Sequence, residues 1–84
     1  MRKIWYDDAW DDYLYWQKND KQKLKKINEL IRDIERGGIG LGKPEYLKDD
    51  LAGFCSRRID AVNRLVYRIK DDRIEIASCR GHYC

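Results

Sequence analysis

The chain has 84 residues, 39% of them charged and 43% hydrophobic, so 1–84 is expected to form one domain with one small core and no deep substrate cavity. Eighteen Lys and Arg against 15 Asp and Glu leave +3, but Asp7, Asp8, Asp11, Asp12 and Asp20 crowd the start while most bases follow, which fits a basic face for an anionic polymer as well as ordinary solvated charge. Cys55, Cys79 and Cys84 make no CxxC spacing, and no apolar run of about 18 residues or signal-like start occurs; this argues against a disulfide framework, zinc, a membrane span or secretion, and for a reduced cytoplasmic protein.

Met1 to Trp5 is partly apolar and reads as a short N-terminal strand. Asp7-Asp8 then offers N-cap and first-turn chemistry, and Ala9, Trp10, Tyr13, Leu14 and Gln17 follow helical spacing. The tryptophans Trp5, Trp10 and Trp16 are read as core or partner surface in preference to base stacking. Asn19 with Gln22 resembles a capping box for a second helix, in which Leu24, Ile27, Leu30, Ile31 and Ile34 recur until Gly37-Gly38 stops the pattern. Its outward bases Lys21, Lys23, Lys25, Lys26 and Arg32 either meet phosphates or line a solvated face.

The stretch GGIGLGKP, 37–44, is not a P-loop, since Gly42-Lys43-Pro44 follows a helix and carries no hydroxyl for magnesium. It is expected to be a mobile loop that delivers Lys43 and Glu45 to one side of the fold. From Phe54 the period changes to two: Phe54 to Ile59, Arg64 to Ile69 and Arg73 to Cys79 alternate, with turns at 60–63 and at Asp71-Asp72. Leu65, Tyr67 and Ile69 should face one way and Arg64, Val66 and Arg68 the other. The predicted fold is α+β, two N-terminal helices packed on one face of a mostly antiparallel sheet.

RNA cleavage without a metal needs a base for the 2′-hydroxyl, an acid for the departing 5′-oxygen and cations around the phosphorane. His82 is the sole histidine, the residue type whose unperturbed pKa lies near neutrality, and so the natural acid or base. Glu45 follows a rigid Lys-Pro pair, and Arg58 and Arg64 sit on adjacent predicted strands where two guanidinium groups can meet one phosphate. Lys43, Lys48, Arg57 and Arg80 add positive field. From the residues alone, cleavage, nucleic-acid binding without cleavage and protein interaction all stay open.

The whole chain resembles the YoeB toxins of the RelE superfamily. The resemblance lies in Ala9-Trp10-Asp11-Asp12-Tyr13-Leu14-Tyr15-Trp16, Lys25-Lys26-Ile27-Asn28, Gly42-Lys43-Pro44-Glu45, Ser56-Arg57-Arg58-Ile59, Arg64-Leu65-Val66-Tyr67 and His82-Tyr83. Each motif is weak, but together, in order, they are specific. The resemblance implies a RelE-like, microbial-ribonuclease-like fold and a ribosome-dependent mRNA interferase that needs no cofactor. It implies Glu45 as general base, His82 as general acid, Arg64 as phosphate stabiliser and Tyr83 as the terminal aromatic, with Lys43, Lys48, Arg57 and Arg58 binding RNA. It also implies a YefM-type antitoxin as partner, the ribosome and mRNA as targets, operator DNA reached only through the antitoxin complex, and a homodimer. The alternative is a RelE-like module impaired in catalysis that binds ribosomes or RNA, or a co-repressor subunit. Cys84 after Tyr83, Cys55 in place of an aromatic and Tyr46 in place of a proline depart from the family pattern.

Overall fold

The structure is a computed structural model and describes residues 1–81. Strand β1 (Arg2–Trp5) leads into helix α1 (Asp7–Asn19) and helix α2 (Lys21–Glu35). After the glycine-rich loop come β2 (Glu45–Tyr46), a single helical turn at Asp49–Leu51, β3 (Cys55–Arg58), β4 (Arg64–Lys70) and β5 (Arg73–Ser78). The strands form one sheet in the order β1-β5-β4-β3-β2, antiparallel except where β1 runs parallel to β5. Both helices lie on one face, as the apolar spacing predicts.

Helix boundaries differ by one residue from the expected caps. Asp20, not Asn19, starts α2: its carboxylate accepts from the Gln22 and Lys23 amides at 3.1 and 3.4 Å. Asn19 belongs to α1 and donates to the Tyr15 carbonyl. Asp7 and Asp8 occupy the first turn of α1 without capping it, where their charge complements the helix N-terminus.

Ala9, Trp16, Ile27, Leu30, Ile31 and Ile34 from the helices meet Leu65, Tyr67, Ile74 and Ile76 from the sheet. Each fully buried aliphatic side chain contributes about 2 kcal/mol through removal from water. Trp16 also donates its indole N–H to the Cys79 carbonyl at 2.8 Å, so it anchors the C-terminal end of β5 as well as the core. Trp10, by contrast, stays 46% exposed, stacked on Tyr13 and set edge-on to Trp5. Ile69 faces the same side as Leu65 and Tyr67, as expected, opposite the core residue Ile74. It is nonetheless 53% exposed.

The β4–β5 hairpin closes through Asp71 and Asp72 with φ of +51° and +59°, the two left-handed residues that a twisted two-residue turn requires. Across β3, β4 and the first part of β5 successive residues alternate between the helix side and the far side, until a register shift at Val66/Tyr67 sets Ser78 opposite Val66. The face turned away from the helices carries Ser56, Arg58, Arg64, Val66, Arg68 and Glu75, of which Ser56, Val66 and Glu75 are buried among their neighbours, and Glu45 joins it through its pairing with Ser56.

Candidate functional site

Arg58 and Arg64 are direct partners across β3 and β4, so two guanidinium groups stand side by side on the uncovered face. Like charges in that relation repel. Arg58 Nε and Arg64 Nη1 are buried and have no hydrogen-bond partner among the described residues. A buried donor without an acceptor is costly, and an oxyanion placed between these two side chains would relieve both the repulsion and the missing bonds.

Arg68 and Arg73 on the same face are already neutralised. Glu75 accepts from Arg68 Nε at 2.6 Å, from Arg73 Nε at 2.9 Å and from the Tyr6 hydroxyl at 2.9 Å. These bonds, that from Arg68 foremost, hold its carboxyl down at about 2. Glu75 thus disarms the Arg68 end of the sheet, and the contrast singles out the Arg58 end. Because the folded value lies below the ordinary 4.5, Glu75 stabilises the fold fully above that value, and the stabilisation fades as pH falls from about 4.5 toward 2. Melting temperature measured across this window should fall more steeply for the wild type than for Glu75→Gln; parallel curves would refute the assignment.

The glycine-rich loop is tied to the same end of the sheet. The Arg58 amide donates to the Gly42 carbonyl at 2.7 Å. At Gly42, φ is +77° and a Cβ would come within 2.7 Å of Leu30 Cδ2, so glycine is required both by backbone angle and by space. The segment from Gly42 to Glu45 therefore runs alongside β3, with Lys43 one residue from the Arg58 contact. Glu45 pairs with Ser56, two residues from Arg58 and about 7 Å away along the strand. The pairing thus places Glu45, Arg58 and Arg64 on one face, with Lys43 next in the chain to the Gly42 carbonyl that receives the Arg58 amide. Lys48 is exposed in the connection after β2, at the far end of that strand from Lys43.

Arg57 departs from its expected place among the RNA contacts. It is only 3% exposed and lies on the helix side, bound to Asp33 at 2.6 Å, to the Leu41 and Gly38 carbonyls at 3.1 and 2.7 Å, and to the Tyr67 hydroxyl at 3.1 Å. Burial works against its charge, but the bonds to Asp33 and Tyr67 prevail and raise its pKa further. Arg57 therefore clips the loop onto the core. The loop expected to be mobile is fastened at Gly38, Leu41 and Gly42, an arrangement that alternation alone does not reveal. The parity that puts Arg57 beside Leu65 was the available signal.

The described chain ends against Arg64. Gly81 accepts from the Arg64 amide at 3.1 Å and its own amide donates to Asn63 Oδ1 at 2.7 Å. Upstream, the Cys79 amide donates to Asp12 at 3.0 Å and Arg80 lies 3.5 Å over the Tyr15 ring. His82, Tyr83 and Cys84 lie outside the described residues. Sequence reasoning missed the anchoring set Asp12, Trp16, Asp60 and Asn63, whose partners are distant along the chain.

A sheet covered by helices on one face, whose other face carries an arginine pair with no counter-charge among the described residues and a carboxylate on the neighbouring edge strand, defines a class of small α+β proteins suited to an anionic ligand. Within that class the chain belongs to the YoeB-like toxins of bacterial type II toxin-antitoxin systems, whose family model matches residues 5–83. It is 57% identical to Toxin YoeB of Escherichia coli (strain K12) over 84 residues, 99% of this chain and 100% of that protein. The YoeB/ParE toxin from Agrobacterium tumefaciens superposes with a TM-score of 0.95 at 49% identity, covering 99% and 100% of the two chains. The Staphylococcus aureus YoeB-YefM heterotetrameric complex and the YoeB dimer of that organism each give 0.92 at 49% identity, covering 99% and 98%.

Proposed function

We propose that this protein is a metal-independent endoribonuclease toxin that cleaves mRNA in the ribosomal A site and so halts translation. The observation that carries the reading is the Arg58–Arg64 pair, whose buried nitrogens have no partner among the described residues, on the face of a YoeB-family fold to which Glu45 is paired two residues along β3. The scissile phosphate sits between the two guanidinium groups, which hold its equatorial oxygens and stabilise the phosphorane. Glu45 takes the 2′-hydroxyl proton and the 2′-oxygen attacks phosphorus. His82 protonates the leaving 5′-oxygen, and the products are a 2′,3′-cyclic phosphate and a 5′-hydroxyl. Tyr83 orients the substrate, and Lys43 and Lys48 draw in the backbone. An open face offers little binding of its own, so the ribosome supplies the alignment that a pocket would otherwise provide. The site of action is accordingly the cytoplasm.

The proposed partner is a YefM-type antitoxin, supported by the S. aureus YoeB-YefM complex, with operator DNA reached only through that complex. A homodimer is supported by the S. aureus YoeB dimer and by the exposed Trp10 and Leu14, which stand one turn apart on α1.

The test programs purified ribosomes with a defined mRNA, adds wild-type or His82→Gln protein, and maps new 5′ ends by primer extension beside a naked-mRNA control. Cuts within the A-site codon that need the ribosome are expected, with His82→Gln reduced by about a hundredfold or more. Intact mRNA with ribosome-bound wild type would favour a binding module instead, and full activity in a folded His82→Gln protein would remove the acid assignment.

A further inference from the structure

The C-terminal arm turns at Gly81, and both polar groups of that residue's backbone are held. Its amide donates to Asn63 Oδ1 at 2.7 Å and its carbonyl accepts from the Arg64 amide at 3.1 Å. Its φ of +90° lies in the region that favours glycine. The residue that precedes His82 is therefore a fixed bend, set against the strand that carries the phosphate-facing Arg64.

Asn63 is itself oriented. Its Nδ2 donates to Asp60 Oδ1 and Oδ2 at 3.2 and 3.0 Å, which turns Oδ1 toward Gly81. The Asp60 carboxylate also accepts from the Val62 and Asn63 amides at 2.7 and 2.6 Å and pairs with Lys23 of α2 at 3.2 Å. Burial opposes the charge on Asp60, but the bonds from Asn63, Val62 and Lys23 outweigh it and hold the carboxyl well below the usual carboxylate range. This set exceeds what the hairpin itself needs, since the Ile59 and Asp60 amides already close the turn on the Asn63 carbonyl. The bond to Gly81 reaches 18 residues along the chain and serves the arm, not the turn.

We propose that Asn63, oriented by Asp60, is a positioning residue for the general acid: it clamps Gly81 so that the chain entering His82 leaves the sheet beside Arg64. The inference rests on the reading of His82 as the acid. Asn63 touches no substrate in this scheme. Releasing the clamp lets the arm depart from the geometry of proton transfer while Arg58, Arg64 and Lys43 still bind RNA, so the rate of cleavage falls and affinity holds.

Donor and acceptor can be exchanged to test this. Asn63→Asp keeps an oxygen for Gly81 but sets a second carboxylate against Asp60; Asp60→Asn sets two amides donor to donor; Asn63→Ala removes the clamp without adding charge. The double variant Asp60→Asn/Asn63→Asp restores a donor–acceptor pair in the reverse sense and keeps an oxygen for Gly81. Single-turnover cleavage on programmed ribosomes should fall by about tenfold to a hundredfold in each single variant, with ribosome affinity within about twofold, and should recover in the double variant. Hydrogen exchange of the Gly81 amide, followed by NMR on the free protein, should quicken in Asn63→Ala and Asp60→Asn and slow again in the double variant. Single variants that lose Gly81 protection yet cut at the wild-type rate would overturn the proposal, as would a double variant that regains protection without regaining rate. A wild-type protein that leaves mRNA intact defeats the nuclease reading itself, and the clamp's role with it, whereas unchanged rates in variants of a cutting wild type defeat only the clamp.

Discussion

Arg64→Ala is expected to lower ribosome-dependent cleavage by about a hundredfold to a thousandfold, the usual loss when one preorganised stabiliser of a charged transition state is removed, while leaving the fold as stable as before or more so. The two effects diverge for a structural reason. Arg64 stands opposite Arg58, Arg64 Nη1 has no partner among the described residues, and a directly opposed like-charge pair is destabilising. Removing one member therefore relieves the resting protein even as it disables the site. Arg68 supplies the contrast, because its ion pair with Glu75 at 2.6 Å ties it to the architecture. Arg68→Ala should weaken the fold and spare cleavage. Arg64→Lys keeps the charge but not the planar fork, so an intermediate rate is expected. Single-turnover cleavage and urea denaturation on the same preparations decide the matter; an Arg64→Ala protein that loses stability in step with activity would show that Arg64 serves the fold.

Asp33→Ala is expected to produce the largest loss of stability of any substitution considered, about 3–5 kcal/mol, because it strands a buried guanidinium without its counter-charge. Arg57 is 3% exposed and meets Asp33 at 2.6 Å. For a domain of this size each kcal/mol lowers Tm by about 4–8 °C, so thermal unfolding followed by circular dichroism reads the effect directly. The double variant Asp33→Leu/Arg57→Met should recover much of the lost stability, since apolar replacements remove both charges together. It should not recover cleavage, because the Gly38 and Leu41 carbonyls would still lack the donors that fasten the loop bearing Lys43 and Glu45. Recovery of full activity in the stable double variant would separate the clip from the site.

Much of the fold is legible in the chain because its signals are local. Ile27, Leu30, Ile31 and Ile34 mark the inner stripe of α2, and Arg64 to Ile69 alternates around an Asp-Asp turn that closes as expected. The α2 cap was misplaced by one residue. Asn19 and Asp20 are equally good capping chemistry, and the choice between them depends on how far α1 runs, which the docking of Trp16 against Cys79 helps to set. The candidate site divides in the same way. Glu45, Arg58 and Arg64 are recognisable as residue types at suggestive positions, and the pairing of β3 with β4 brings the two arginines together. Arg57 looks the same on paper as Arg58, and only its pairing with Leu65 across β4 marks it as the one the helices cover.

The sequence by itself determined the order and kind of the elements, the helix-bearing face of the sheet and the family, because these depend on period, turn chemistry and motif order, all carried within short stretches of chain. Tertiary structure alone decided which arginines remain charged and unpaired. That outcome depends on acids that arrive from elsewhere: Asp33, 24 residues from Arg57, and Glu75 from the neighbouring strand to Arg68. A guanidinium becomes a scaffold where the fold delivers a carboxylate to it, and it is left free for an anion where the fold delivers none.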